Sequence, residues 1–453
     1  MPLPSPPPPS SSPSPLAEAS LAENAADEKD EEVITDFWAA SSRVHHAGHA
    51  AALRRFRRLI ESTQQPSHCS AARACHFSGY VGGAASNLKR LAHALLAAVL
   101  QGDALVGRYP AAITSRLSTN PSLRAACHAR GHFSNECYLL PVSPCAAALR
   151  AANASRPRSC PTLTEARLHA LLDRLAHATG LRSESLAMGT LHAWILRPQP
   201  LLAAAVRFYA AALRPRAAAI ALHVRKGDKH SLYVRHLKNA SYATHPAMYA
   251  LWARRVAASL GATRALFMSD DPRTIAFLSA APDGFFSLCP APAACLPSLG
   301  AGLLGKGRAV KSLPSGRMQA YAAAAPRPPA ACGDPHFVDD GVQFFAGLLL
   351  LAQTAALVGT QLSNVDSVAV ELMSTLRHPA AYFDVFNDLH RAYTSDERTW
   401  AGSSHFSRRS PLLESLASTA ARRFVPDERS VDAAFLASAG FPDETPRTAR
   451  RDE

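Results

Sequence analysis

The chain has 453 residues, 48% of them apolar, with 48 lysines and arginines against 35 aspartates and glutamates and a net charge of +13. Such a length accommodates two domains, or one large domain with tails, and the apolar content is enough for a sizeable core. The charge favours acidic partners such as nucleic acid, anionic membrane or phosphorylated small molecules, with heavy use of alanine and arginine as a second account; scattered arginines without a recognition helix, zinc finger or aromatic RNA-stacking strand exclude the familiar nucleic-acid-binding modules.

Residues 1–33 are proline- and serine-rich and then acidic, a composition with nothing to bury, so disorder is expected there. No basic stretch followed by an apolar one marks an ordinary signal peptide. No run of about twenty apolar residues is long enough for a bilayer. The nearest, "FFAGLLLLAQTAALVG" from Phe344, fits a buried helix. Residues 34–68 form a helical lead-in, with apolar residues at helical spacing from Ile34 to Ile60 and a basic end, which predicts a solvated amphipathic helix.

Residues 69–213 form a first lobe. A glycine-containing turn, "GYVGG", opens a helix from about Asn87 to Leu100, and a short strand follows at Ala104–Val106. Glycines at a helix start let backbone N–H groups approach a phosphate, although most such turns are only turns. From Ser118 to Pro161 the chain reads as irregular loops. Six of the nine cysteines lie between Cys69 and Cys160, and the others are Cys289, Cys295 and Cys332. They lack the paired spacing of a zinc site, and with sequons at Asn153 and Asn239 they favour disulfides in a secretory lumen over reduced core thiols. Helical spacing returns at "EARLHALLDRLAHATG" and from Leu186 to Leu213, interrupted by Pro198 and Pro200.

Residues 214–384 change rhythm. The strands "AAIALHV", "RALFMSD" and "ALVGT" alternate with the helices "PAMYALWARRVAASLG", "DPRTIAFLSAA", "DDGVQFFAGLLLLAQTA" and "NVDSVAVELMSTL", with a further short strand at "GFFSL". Apolar strands alternating with helices predict a parallel sheet covered on both faces. Residues 290–335 read as a long loop. Residues 385–453 read as a polar, basic tail.

Ligands of open parallel sheets bind beyond the carboxyl ends of the strands. Three successive strands end there in polar groups: His223 and Arg225, then Asp270 and Asp271, then Thr360 followed by Ser363 and Asn364. An arginine fork can hold a diphosphate, and carboxylates can bind ribose hydroxyls or a guanine edge. An arginine merely paired with an aspartate is the structural alternative for Arg225 alone. The three strand ends together point to a ligand site.

These residues also carry a resemblance. "HVRKGDK", "FMSDDP" and "ALVGTQLSNVDSVAVELM" resemble, in order and interval, the catalytic-domain motifs of the α-1,6-fucosyltransferases (glycosyltransferase family 23), which include the core fucosyltransferase of N-glycans. "GGAASNLKRLAHALLAAVLQGDALV" and "NECYLLPVSPC" are similar to the family's upstream turn and cysteine-bearing loop. The resemblance spans roughly residues 69–384. It implies an α/β fold of the GT-B kind, in which a Rossmann-type donor lobe is joined to a smaller amino-terminal α/β lobe. It further implies inverting transfer of fucose from GDP-fucose to the 6-hydroxyl of a GlcNAc in a glycan, with no metal or other cofactor and with Golgi residence. "Asp-x-Asp" is likewise absent as a diphosphate-bound cation site. By the same resemblance Arg225 grips the phosphates, and Asp228 and Lys229 stand beside the reacting centre. His223 lines the donor site, Asp270 and Asp271 contact the nucleoside, Ser363 and Asn364 the phosphates, and Gly83 belongs to the upstream turn.

The chain departs from the family at two positions. Tyr233 occupies the spacing of the family's glutamate base, which leaves Asp228 or His230 to take the acceptor proton. Gly347 replaces a donor-binding aspartate, with Asp339 or Asp340 as the residues available to replace it. The family's membrane anchor, stem and carboxyl-terminal SH3-like barrel have no visible counterpart. A fucosyltransferase with another acceptor, or a non-catalytic relative that binds a GDP-sugar or glycan, therefore stays open beside the leading expectation.

Overall fold

The computed structural model describes residues 33–46, 48–78, 84–108, 123, 125, 134–152, 158–161, 165–216, 219–225, 246–292, 295, 330–360, 363–377, 380–385, 392–394 and 407–408. The described residues make a mixed α/β fold with two parallel sheets. The amphipathic lead-in is two helices, α1 (Phe37–Ser41) and α2 (Ala50–Gln64), instead of one. Asp36 caps the first through its side chain, and a left-handed Gly48 precedes the second. Helix α2 is not simply solvated: Leu53, Phe56 and Ile60 are buried in the core.

The smaller sheet pairs β1 (Ala74–Ser78) with β2 (Ala104–Arg108) in parallel, and α3 (Ala84–Gln101) joins them. Sequence reading gave the helix and β2 but not β1, because "ACHFS" carries no period-two alternation and its centre is wholly buried. The segment expected to be irregular contains a helix, α4 (Ala146–Ala152). Disulfides Cys69–Cys145 and Cys75–Cys160 tie this region to β1 and the turn before it, and Cys137 is also disulfide-bonded.

Helices α5 (Glu165–Thr179), α6 (Glu184–Ile195) and α7 (Pro200–Leu213) follow, the last two separated by the predicted proline break. Ser183 caps α6, and Pro200, whose missing N–H costs nothing there, opens α7.

The larger sheet has the order β5-β4-β3-β6-β7-β8-β9. Its strands are β3 (Ala219–Val224), β4 (Arg264–Ser269), β5 (Phe286–Leu288), β6 (Ala356–Gly359), β7 (Ala381–Asp384), β8 (Ala392–Thr394) and β9 (Ser407–Arg408). The first five are mutually parallel, and β8 and β9 extend the edge antiparallel. The last three lie at or beyond the point where the sequence pattern fades, so the sheet continues into the segment read as a polar tail.

Helices α8 (Pro246–Leu260), α9 (Pro272–Ser279), α10 (Asp340–Leu351) and α11 (Asn364–Leu376) complete the set. Alternation along the strands assigns the two faces. Ile220, Leu222 and Val224 pack with Trp252 and Val256 of α8, whereas Ala219 and Ala221 join the core of α10, α11 and the first lobe. Helix α10 is buried, as the apolar run from Phe344 predicted, and no described helix is long and apolar enough to cross a membrane. Helices α6 and α11 pack closely: a Cβ added to Gly189 would lie 2.0 Å from the Glu371 carbonyl oxygen, so only glycine admits the contact.

Candidate functional site

Because β4 and β5 lie on one side of β3 while β6 and β7 lie on the other, the winding reverses between β3 and β6. At such a switch point the connections leave to opposite sides and a crevice opens at the carboxyl edge, the general ligand position of open α/β sheets. His223, the penultimate residue of β3, Arg225 just beyond it, and Thr360 just beyond β6 all lie there.

His223 is 3% exposed. Its Nδ1 hydrogen-bonds the carboxylate of Asp366, in the first turn of α11, and the other oxygen of that carboxylate accepts the Thr360 backbone N–H. Such proximity requires a glycine at the end of β6, since a Cβ on Gly359 would stand 2.4 Å from Asp366 Oδ2. Burial pushes the Asp366 carboxyl above the usual range, and the neighbouring His223 and Arg225 and the Thr360 N–H pull it back.

Arg225 pairs with Asp270, at the end of β4, and each side chain is 26% exposed. The pairing considered for Arg225 alone is thus present, at the same edge as the other polar groups. Asp271 caps α9, accepting from the Thr274 N–H at 3.1 Å and its hydroxyl at 2.7 Å. Ser363 caps α11, accepting from the Val365 N–H at 3.2 Å, and is 5% exposed. Asn364 donates through Nδ2 to the Ser86 hydroxyl at 2.6 Å, which carries the start of α3 across to the larger sheet.

His223, Arg225, Asp270, Ser363 and Asn364 therefore come together at one sheet edge, and Asp271 adjoins them as a helix cap. Gly83, Asp228, Lys229, His230 and Tyr233 lie outside the described residues. Gly347 is buried in α10, where an added Cβ would lie 3.2 Å from Met268 Sδ and 3.3 Å from Pro290 Cδ. Of the two aspartates considered in its place, Asp339 is 1% exposed and serves as a cap, accepting from the Tyr138 hydroxyl at 2.8 Å and the Gly341 N–H at 3.0 Å. Asp340 is half-buried, and burial, with Asp339 beside it, raises its carboxyl to about 7.

Sequence reasoning missed Asp366 and Ser86. In "SNVD" the aspartate looks like the far end of a capping box, yet its carboxylate reaches the strand ends of β3 and β6. Nothing local marks Ser86 apart from its place after the glycine turn. Chemically the edge offers a guanidinium, an imidazole and the N-terminus of a 13-residue helix, an environment suited to an anion. Among the described residues no group of three or more His, Cys, Asp or Glu is placed to hold a metal ion.

Neither a comparison with protein-family models nor one with curated proteins finds a match to this chain.

Proposed function

We propose that the chain is a GDP-fucose-dependent α-1,6-fucosyltransferase of the GT-B kind, transferring L-fucose with inversion to the 6-hydroxyl of a GlcNAc in an N-glycan within the secretory lumen. The observation that carries the reading is the convergence of His223, Arg225, Asp270, Ser363 and Asn364, from three separate motifs, on the switch point of one sheet. The disulfides Cys69–Cys145, Cys75–Cys160 and Cys295–Cys332, with Cys137 also disulfide-bonded, suit an oxidising compartment.

In this reading the acceptor O6 attacks C1 of fucose as the C1–O bond to GDP breaks, and the acceptor proton passes to a base. Charge develops on the departing diphosphate. Arg225 meets it through its fork, and the N-terminus of α11, capped by Ser363, adds its dipole. Asp270, which holds Arg225 in the free protein, orients the guanidinium and yields part of it to the diphosphate. Asp228 and Lys229 stand next along the chain, where the resemblance puts the reacting centre. Asp228 or His230 takes the proton, since Tyr233 stands at the glutamate spacing.

A second reading, a GDP-sugar-binding relative without catalysis, draws on Gly347, which is packed against Met268 and Pro290 where the family carries a donor-binding aspartate. Purified protein incubated with GDP-fucose and a GlcNAc-terminated biantennary glycopeptide separates the two. Acceptor-dependent GDP release, a fucosylated product linked through O6 and loss of both in Arg225→Ala establish the transferase. Donor binding with no turnover across a panel of acceptors establishes the relative.

A further inference from the structure

Lys89 lies on α3, three residues after Ser86 and therefore one turn along the same helix face. Ser86 accepts from Asn364 Nδ2 at 2.6 Å, which fixes this part of α3 against the N-terminus of α11. Side chains on a helix lean toward its N-terminus, so the flexible stem of Lys89 extends back over the turn that holds Ser86, a reach of about one helical turn.

Lys89 is half-buried, and among the described residues no carboxylate pairs with it. The acids of the larger sheet's edge are engaged elsewhere: Asp270 with Arg225, Asp366 with His223 and the Thr360 N–H, and Asp271 with Thr274 at the cap of α9. A half-buried ammonium beside a helix N-terminus meets the positive end of the dipole and has lost part of its water. An anion there relieves both costs.

Position along the edge selects the anion. The sheet order β4-β3-β6 puts Asp270 first, Arg225 next and then the N-terminus of α11, which follows β6. Ser86, bonded to Asn364, and Lys89 come after these, on the first lobe. A nucleotide whose nucleoside end meets Asp270 therefore carries its inner phosphate to Arg225 and its outer one toward α11 and α3.

We propose that Lys89 is a donor-binding residue supplied by the first lobe, its ammonium paired with the outer, sugar-bearing phosphate of the bound nucleotide sugar. The proposal rests on the donor-site reading above and adds to it a second cation, from outside the larger sheet.

Calorimetric titration of the full chain with GDP and with GMP, which lacks the outer phosphate, tests this at one pH and ionic strength. Lys89→Met keeps an apolar stem and removes the ammonium. It is expected to bind GDP about tenfold more weakly, the value of one charge-assisted hydrogen bond, and GMP as the wild type does. Lys89→Arg, which restores a cation at the same position, is expected to recover most of the GDP affinity. Arg58→Met removes the same charge from an exposed position on α2 and is expected to change neither affinity. GDP affinity in Lys89→Met equal to that of the wild type, an equal loss for GMP, or a loss of the same size in Arg58→Met overturns the contact and leaves the donor site standing. Wild-type protein that binds neither nucleotide removes the donor site and the contact together.

Discussion

Asn364 Nδ2 donates to Ser86 Oγ at 2.6 Å, joining two residues 278 positions apart in the chain. Asn364 opens α11 at the edge of the larger sheet, and Ser86 lies in the first turn of α3, which packs on the smaller one. This hydrogen bond joins the N-terminal ends of α11 and α3. Both Ser86→Ala and Asn364→Ala are expected to cost about 1 kcal/mol in urea unfolding, and a double-mutant cycle should return a coupling of similar size. Donor affinity should fall more in Asn364→Ala than in Ser86→Ala, since Asn364 is the one assigned to the phosphates.

The contact of α6 with α11 predicts a larger effect. Gly189→Ala brings its Cβ to 2.0 Å from the Glu371 carbonyl oxygen and 2.9 Å from Thr375 Cγ2, both within a buried interface. The helices must separate, and a loss of about 3 kcal/mol in denaturant unfolding is expected. Gly102→Ala, with nothing within 4 Å of the added atom but a left-handed φ of 71°, should lose about 1 kcal/mol through its backbone alone.

Asp340 predicts a pH dependence of stability. Its carboxyl is raised from 3.8 to about 7 by burial and by Asp339. The folded chain therefore holds a proton that the unfolded chain releases between those values, so stability falls as pH rises from about 4 to about 7 and then levels. The side chain is only half-buried, which limits the loss to about 2 kcal/mol. Asp340→Asn should remove this part of the slope and raise the midpoint of urea unfolding at pH 8, with little change at pH 4.

Much of this architecture was legible in the sequence, because its signals are local and strong. The apolar strands ending at Val224, Ser269 and Gly359 read correctly, as did the break between α6 and α7 at Pro198 and Pro200. Strand β1 did not, since "ACHFS" gains its identity from parallel pairing with β2 and from the Cys75–Cys160 bridge. Strands β8 and β9 were illegible because at three and two residues they are defined by their partner strands. The site divides in the same way. His223 and Arg225 announce themselves by polarity at the end of an apolar run, whereas Asp366 hides in a capping pattern and gains its role only when α11 is folded back against β3.

The Cys295–Cys332 bridge closes a separation of 37 residues between the end of β5 and the start of α10. On the chain-entropy account, removing a constraint of that length costs about 4 kcal/mol. Thermal unfolding of a Cys295→Ser/Cys332→Ser double variant should show a marked drop in Tm. Cys289, fully buried, with its thiol pushed up by desolvation, should resist alkylation until the protein unfolds.

The central claim is that the edge between β3 and β6 holds a nucleotide diphosphate through Arg225. A crystal structure of the protein with GDP tests it most directly. The diphosphate is expected within hydrogen-bond distance of Arg225 and the N-terminus of α11, with the Asp270 pairing at least partly opened. Nucleotide bound elsewhere on the molecule, with the Arg225–Asp270 pair intact, would contradict it.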